Sequence, residues 1–128
     1  MKKILIVEDD RNIALALAVR LKAASYEVLT ASNGVAGVEL VKTQNPDLVV
    51  MDICLPAGLG LSVAQRLKEL RLDHIPIIFI TASRRRGLQQ AVRGLGAAAF
   101  FEKPYDPQQL METIASIIAS SPENLSAN

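Results

Sequence analysis

Carboxylate, hydroxyl and ammonium side chains recur in this chain at the ends of short apolar runs. Residues 4–7 stop at Glu8 and Asp9, residues 48–51 at Asp52, residues 77–80 at Thr81, and residues 97–101 at Glu102 and Lys103. If these runs are parallel strands of one sheet, their polar endings share its carboxyl edge, where open α/β sheets place their sites. A carboxylate nucleophile, more carboxylates to hold a hard cation, a hydroxyl and an ammonium together make a set suited to handling a phosphoryl group.

The segments between the runs have helical spacing. Residues 10–24 carry Ile13, Leu17, Val19 and Leu21, residues 35–42 repeat Val35, Val38 and Val41, and residues 61–70 repeat Leu61, Ala64 and Leu67. Residues 88–95 predict a shorter helix with a weaker pattern. Asp106 offers an N-cap and Pro107 a first helical residue, opening a helix through Leu110, Ile114 and Ile117. Asn33-Gly34, Asn45-Pro46, residues 56–60 and Ile75-Pro76 punctuate the units. Residues 26–30 alternate in polarity, as an edge strand would. The expectation is five strands alternating with five helices. Strands this continuously apolar require helices on both faces of a parallel sheet. One domain over residues 2–120 is expected, followed by a polar, aperiodic tail over 121–128 that should fray.

Composition narrows the class. The 128 residues are half hydrophobic with two Tyr, three Phe and no Trp, enough for one domain with an aliphatic core. Lys+Arg number 14 against Asp+Glu 13, and this balance argues against a broad nucleic-acid or membrane footprint. The single cysteine, Cys54, excludes an internal disulfide, and the sequence shows neither a signal peptide nor a long apolar span. A soluble cytoplasmic protein is expected.

Ile4-Leu-Ile-Val-Glu-Asp-Asp10, Asp47-Leu-Val-Val-Met-Asp52-Ile-Cys-Leu-Pro56, Ile77-Ile-Phe-Ile-Thr81-Ala82 and Phe101-Glu-Lys103-Pro104-Tyr105 resemble the receiver domain of two-component response regulators. The resemblance runs over about residues 2 to 120, in order and at ordinary spacing. It implies the flavodoxin-like doubly wound α/β fold, a parallel five-stranded sheet of order 2-1-3-4-5. Carried over by position, Glu8 and Asp9 correspond to the acidic pair, Asp52 to the phosphoacceptor, Thr81 to the switch hydroxyl, Phe100 to the switch aromatic and Lys103 to the site lysine.

In that order the first and third strands are neighbours, so Glu8, Asp9 and Asp52 converge. Three adjacent carboxylates repel one another unless a cation sits among them, and a hard divalent ion with oxygen ligands, magnesium (Mg2+) above all, answers that need. Asp9 and Asp52 are expected to ligate directly and Glu8 through water; by resemblance the backbone carbonyl of Cys54 adds a ligand. Lys103 then neutralises charge on the transferring group, Thr81 hydrogen-bonds a phosphoryl oxygen, and Asp52 is the nucleophile. The resemblance implies a sensor histidine kinase or histidine phosphotransfer protein as donor and a downstream effector as reader. Phosphorylation would draw Thr81 inward and reorient Phe100. A monomer, or a weak phosphorylation-dependent dimer, is expected because Ala97, Ala98 and Ala99 stand where relatives often carry acids used in dimer salt bridges.

Plainer readings exist for each group. An Asp ending a strand often caps the next helix, but here that helix begins several residues later, beyond Pro56 and two glycines. Asp10 fits the acidic first turn of a helix. Pro104 implies a rigid bond, with the cis form open, that aims Lys103. Cys54 reads as a small buried hydrophobe rather than a redox sensor, and His74 as an exposed spacer. Gly58-Leu59-Gly60 and Gly94-Leu95-Gly96 lack the third glycine of a dinucleotide fingerprint. Leu59 stands where many relatives carry Asp, which would leave an apolar side chain near the rim of the site. Arg84, Arg85 and Arg86 oppose the dipole of the fourth helix and read as a solvated loop, or as a docking patch for an acidic partner. An aspartyl-phosphate phosphatase or phosphotransferase is the rival function, but it calls for a general acid just after the nucleophile, which Ile53 and Cys54 do not supply. A flavin carrier on the same sheet order is disfavoured by the few aromatics and the acid-lined pocket.

Overall fold

The computed structural model describes residues 1–54, 60–82 and 87–120. The expectations for Leu59, for Arg84 to Arg86 and for the polar tail fall outside these residues. Elements alternate along the chain: β1 (Lys3–Val7), α1 (Arg11–Ala23), β2 (Glu27–Ala31), α2 (Gly34–Gln44), β3 (Leu48–Asp52), α3 (Gly60–Glu69), β4 (Ile77–Thr81), α4 (Leu88–Gly94), β5 (Ala99–Glu102) and α5 (Pro107–Ala119). The strands form one parallel sheet in the order β2-β1-β3-β4-β5, the order the resemblance implied.

Strand side chains alternate between two buried faces, which is why β3 and β4, and β1 after Lys3, need no polar positions until their carboxyl ends. Leu5, Val7, Val49, Met51, Ile77 and Phe79 meet Val41 of α2, Val63 and Leu67 of α3 and Val92 of α4. Ile4, Ile6, Leu48, Val50, Ile78 and Ile80 meet Leu17 and Leu21 of α1 and Leu110, Ile114 and Ile118 of α5. Truncating one of these fully buried Leu or Ile residues to Ala costs about 2–5 kcal/mol, so the sheet is a stiff platform for whatever its edge carries.

Caps decide where the chain leaves that platform. The Asp10 carboxylate accepts from the backbone N–H groups of Asn12 and Ile13 at 2.9 and 3.1 Å, starting α1 soon after β1 ends. Asp10 is thus the N-cap itself and not a first-turn acid. Asn33 caps α2 and Asp106 caps α5, with Pro107 in the first turn.

Four readings of pattern are corrected. The buried face of α1 is Ala14, Leu17, Ala18 and Leu21, while Val19 is 61% and Ile13 38% exposed, because a helix so apolar all round gives no unique stripe and the small alanines pack closest. Val35, at 84% exposed, likewise faces solvent. The last strand begins at Ala99 rather than Ala97, since Gly96, at φ 80, ends the α4 turn and the two following residues complete the connection. β2 does lie at the sheet edge, but Val28 and Leu29 are both half-buried, so its burial does not alternate cleanly.

Candidate functional site

Each candidate side chain sits where a strand hands over to a loop, and the sheet ladder continues one step past the strand to hold it. The Glu8 N–H donates to the Ala31 carbonyl at 3.0 Å, the Ile53 N–H to Ile80 at 3.0 Å and the Lys103 N–H to Thr81 at 2.8 Å. The backbone beneath Glu8, Asp52, Thr81 and Lys103 is therefore as fixed as the sheet.

Lys103 organises the cluster. Its ammonium donates to Asp52 Oδ2 at 2.9 Å and to Glu8 Oε1 at 3.2 Å, joining the ends of β5, β3 and β1. Asp52 Oδ1 accepts from the Cys54 N–H at 2.8 Å, and Glu8 Oε2 from the Asp10 N–H at 3.4 Å. Glu8, Asp52 and Thr81 are buried, whereas Asp9 is exposed at the mouth. One carboxylate oxygen from each of Glu8, Asp9 and Asp52 lies within 4.8 Å of the others, a set that could hold a metal ion. Every donor in it is a carboxylate oxygen, the donor chemistry of hard divalent cations.

Electrostatics express this crowding. Burial, followed by the charge of Asp52, pushes the Glu8 carboxyl above its ordinary value, against the opposing pull of Lys103. For Lys103 burial is the largest single influence and lowers the value, but Asp52 and Glu8 together outweigh it and hold the ammonium protonated above its ordinary range. Tyr105 is raised by burial, with Lys103 and Arg20 opposing.

The sequence-predicted residues divide into those brought together and those beside them. Glu8, Asp9, Asp52 and Lys103 converge, with Thr81 linked to them through Cys54, whose Sγ is 3.4 Å from Thr81 Oγ1. Phe100 lies half-buried against the core under α2 to α4, in register with Phe79 of β4. The Lys103–Pro104 bond is cis. Glu102 and His74 are exposed. Cys54 is exposed and not a buried hydrophobe, because the chain has already left β3 when it reaches that position.

Two contributors escaped the sequence reading. Gly60 opens α3 directly on the exit of β3: its N–H donates to the Ile53 carbonyl at 2.8 Å, and a Cβ there would stand 2.6 Å from the Asp52 carbonyl oxygen. A glycine as first helical residue costs helix propensity, and that cost was the available signal. Tyr105 packs edge-on to Phe101 with ring centroids 6.0 Å apart and lines a cavity of about 10 Å³ beneath Glu8, Asp52 and Lys103.

The response regulator receiver domain profile matches residues 4–115. The chain belongs to that family. This receiver is 34% identical over 121 residues to the polar-differentiation response regulator DivK of Brucella anthropi, covering 94% of this chain and 98% of DivK. It is 32% identical to the alkaline phosphatase synthesis transcriptional regulatory protein PhoP of Bacillus subtilis, of which it spans 50%. Among solved structures, a CheY-like response regulator receiver domain protein from Methanospirillum hungatei superimposes with a TM-score of 0.90 at 27% identity, covering 96% of this chain and 98% of that one. A putative response regulator from Chloroflexus aurantiacus gives 0.85 at 29%, covering 92% and 98%. The chain is thus a receiver domain, a phosphoacceptor switch of two-component signalling, and the matches do not favour the phosphatase reading. Among the described residues no helix is long and apolar enough to cross a membrane.

Proposed function

We propose that this receiver takes its phosphoryl group on Asp52, and that the observation carrying the assignment is Lys103 bridging Asp52 and Glu8 at 2.9 and 3.2 Å. An Asp52 oxygen attacks phosphorus in line, the bond from phosphorus to the donor breaks, and the donor leaves with the electron pair of that bond. Held by the Cys54 N–H on one oxygen and by Lys103 on the other, the carboxylate is fixed for attack. The Lys103 ammonium neutralises the phosphoryl oxygens and the Thr81 hydroxyl donates to one of them. Asp9 and Asp52 would hold Mg2+ directly, Glu8 through water and Cys54 by its carbonyl. The ion, when bound, would supply further positive charge to the transferring group.

The domain unit is residues 2–120. The donor is a histidine kinase or phosphotransfer protein, the reader a downstream effector, and the setting cytoplasmic, with a monomer or a weak phosphorylation-dependent dimer and no nucleic-acid contact of its own. Phosphorylation moves Thr81 and Phe100, and the same residues give slow self-phosphorylation and autodephosphorylation. Incubation with acetyl phosphate and magnesium should add one phosphoryl group by mass spectrometry, and Asp52→Asn should remain unlabelled. Undiminished labelling of that variant overturns the assignment.

A further inference from the structure

We infer that Cys54 is a positioning residue of the switch: its thiol holds the Thr81 hydroxyl in the unphosphorylated arrangement, so the phosphoryl group must compete for that hydroxyl. This rests on the proposed role of Thr81.

Thr81 ends the inner strand β4, between β3 and β5, and is fully buried. Cys54 Sγ lies 3.4 Å from Thr81 Oγ1, within the range of a sulfur hydrogen bond. Backbone placement makes this contact reproducible, because the Cys54 N–H is tied to Asp52 Oδ1 at 2.8 Å and the preceding Ile53 N–H to the β4 ladder at 3.0 Å. Packing does not account for a thiol here, since Cys54 is exposed. Its side chain instead links the phosphoacceptor's own loop to the switch hydroxyl. Strength decides the direction of the effect. A thiol is a weak donor and a weak acceptor, whereas a hydrogen bond to an anionic phosphoryl oxygen is charge-assisted and roughly twice as strong as a neutral one. Such a latch is firm enough to bias the resting state and weak enough to yield on phosphorylation.

Beryllium trifluoride with saturating magnesium serves as a non-hydrolysing phosphoryl mimic, its half-saturation read by NMR on the whole chain. Removing the latch raises the fraction of molecules ready to switch, so Cys54→Ala should tighten half-saturation about two- to fivefold. Cys54→Ser keeps a hydrogen-bonding side chain and should stay within about twofold of the parent. In a Thr81→Val background, which weakens binding of the mimic on its own, Cys54→Ala should change nothing further. Magnesium affinity measured without the mimic in the parent and in Cys54→Ala separates an effect through the Cys54 carbonyl from one through its thiol. An unchanged half-saturation in Cys54→Ala, an equal tightening in both backgrounds, or a matched shift in magnesium affinity overturns the latch. If Thr81→Val fails to weaken binding of the mimic, the Thr81 role falls and the latch with it, an outcome distinct from failure of the latch alone.

Discussion

The Lys103 ammonium reaches Asp52 across an intervening strand: Asp52 ends β3, Lys103 follows β5, and β4 runs between them, yet the two side chains meet at 2.9 Å. Two strand spacings amount to about 10 Å, a gap that only a long side chain closes. The same ammonium also meets Glu8, so one cation answers two buried carboxylates.

Removing that cation should therefore affect both fold and chemistry. Lys103→Ala leaves Glu8 and Asp52 unpaired in a largely buried site, at an expected cost of about 2–3 kcal/mol by urea denaturation in EDTA. Magnesium should restore part of the loss. Labelling by acetyl phosphate should slow about 10²-fold, the scale of a lost charge-stabilising group. Parent-like labelling in this variant would remove Lys103 from the transfer step.

Magnesium should stabilise the folded chain by mass action, because the cluster exists only in the native state. At about ten times the dissociation constant the gain is about 1.4 kcal/mol, visible as a raised melting temperature. Asp9, the exposed member of the cluster, can be altered with little disturbance of packing. Melts of Asp9→Asn with and without magnesium should coincide; an equal shift in that variant argues against direct ligation by Asp9.

Glu8 gives the metal-free site a pH signature. Its folded value lies above its ordinary 4.5, so the fold favours the protonated form. The corresponding stability is fully present below pH 4.5 and is lost as pH rises through the raised value. Without divalent ions, the parent should lose stability relative to Glu8→Gln over that window. Parallel stability curves for the two proteins would show that Glu8 is not perturbed.

Two glycines should respond oppositely to alanine. A Cβ on Gly60 meets backbone, 2.6 Å from the Asp52 oxygen and 3.0 Å from Ile53 Cα, so α3 or the end of β3 must shift, at about 1–3 kcal/mol. Gly94, within α4, has open space around it, and alanine there should add about 0.5–1 kcal/mol. Calorimetric melts of the two variants moving in the same direction would contradict this geometry.

Much of the fold was legible because parallel strands buried on both faces leave continuous apolar runs, and a polar residue ending such a run has little to do except serve the edge. The convergence of Glu8, Asp9, Asp52 and Lys103 follows from strand order. The packing face of α1 did not follow, since large apolar residues attract the eye and Ala14 and Ala18 make the contact. Nor did the Glu8–Lys103 pair, the Cys54–Thr81 contact or the seat of Gly60. Each depends on tenths of an ångström between residues brought together by the fold, and no periodicity records such distances.

Lys103 lies 51 residues beyond Asp52 and 95 beyond Glu8. Synthesis delivers the amino-terminal strands first, and contacts this distant in sequence form only after the intervening chain has been ordered. A nascent receiver consequently carries Glu8 and Asp52 for some time without the Lys103 counter-charge, and on the role proposed for that lysine the site is the last part of the fold to be completed.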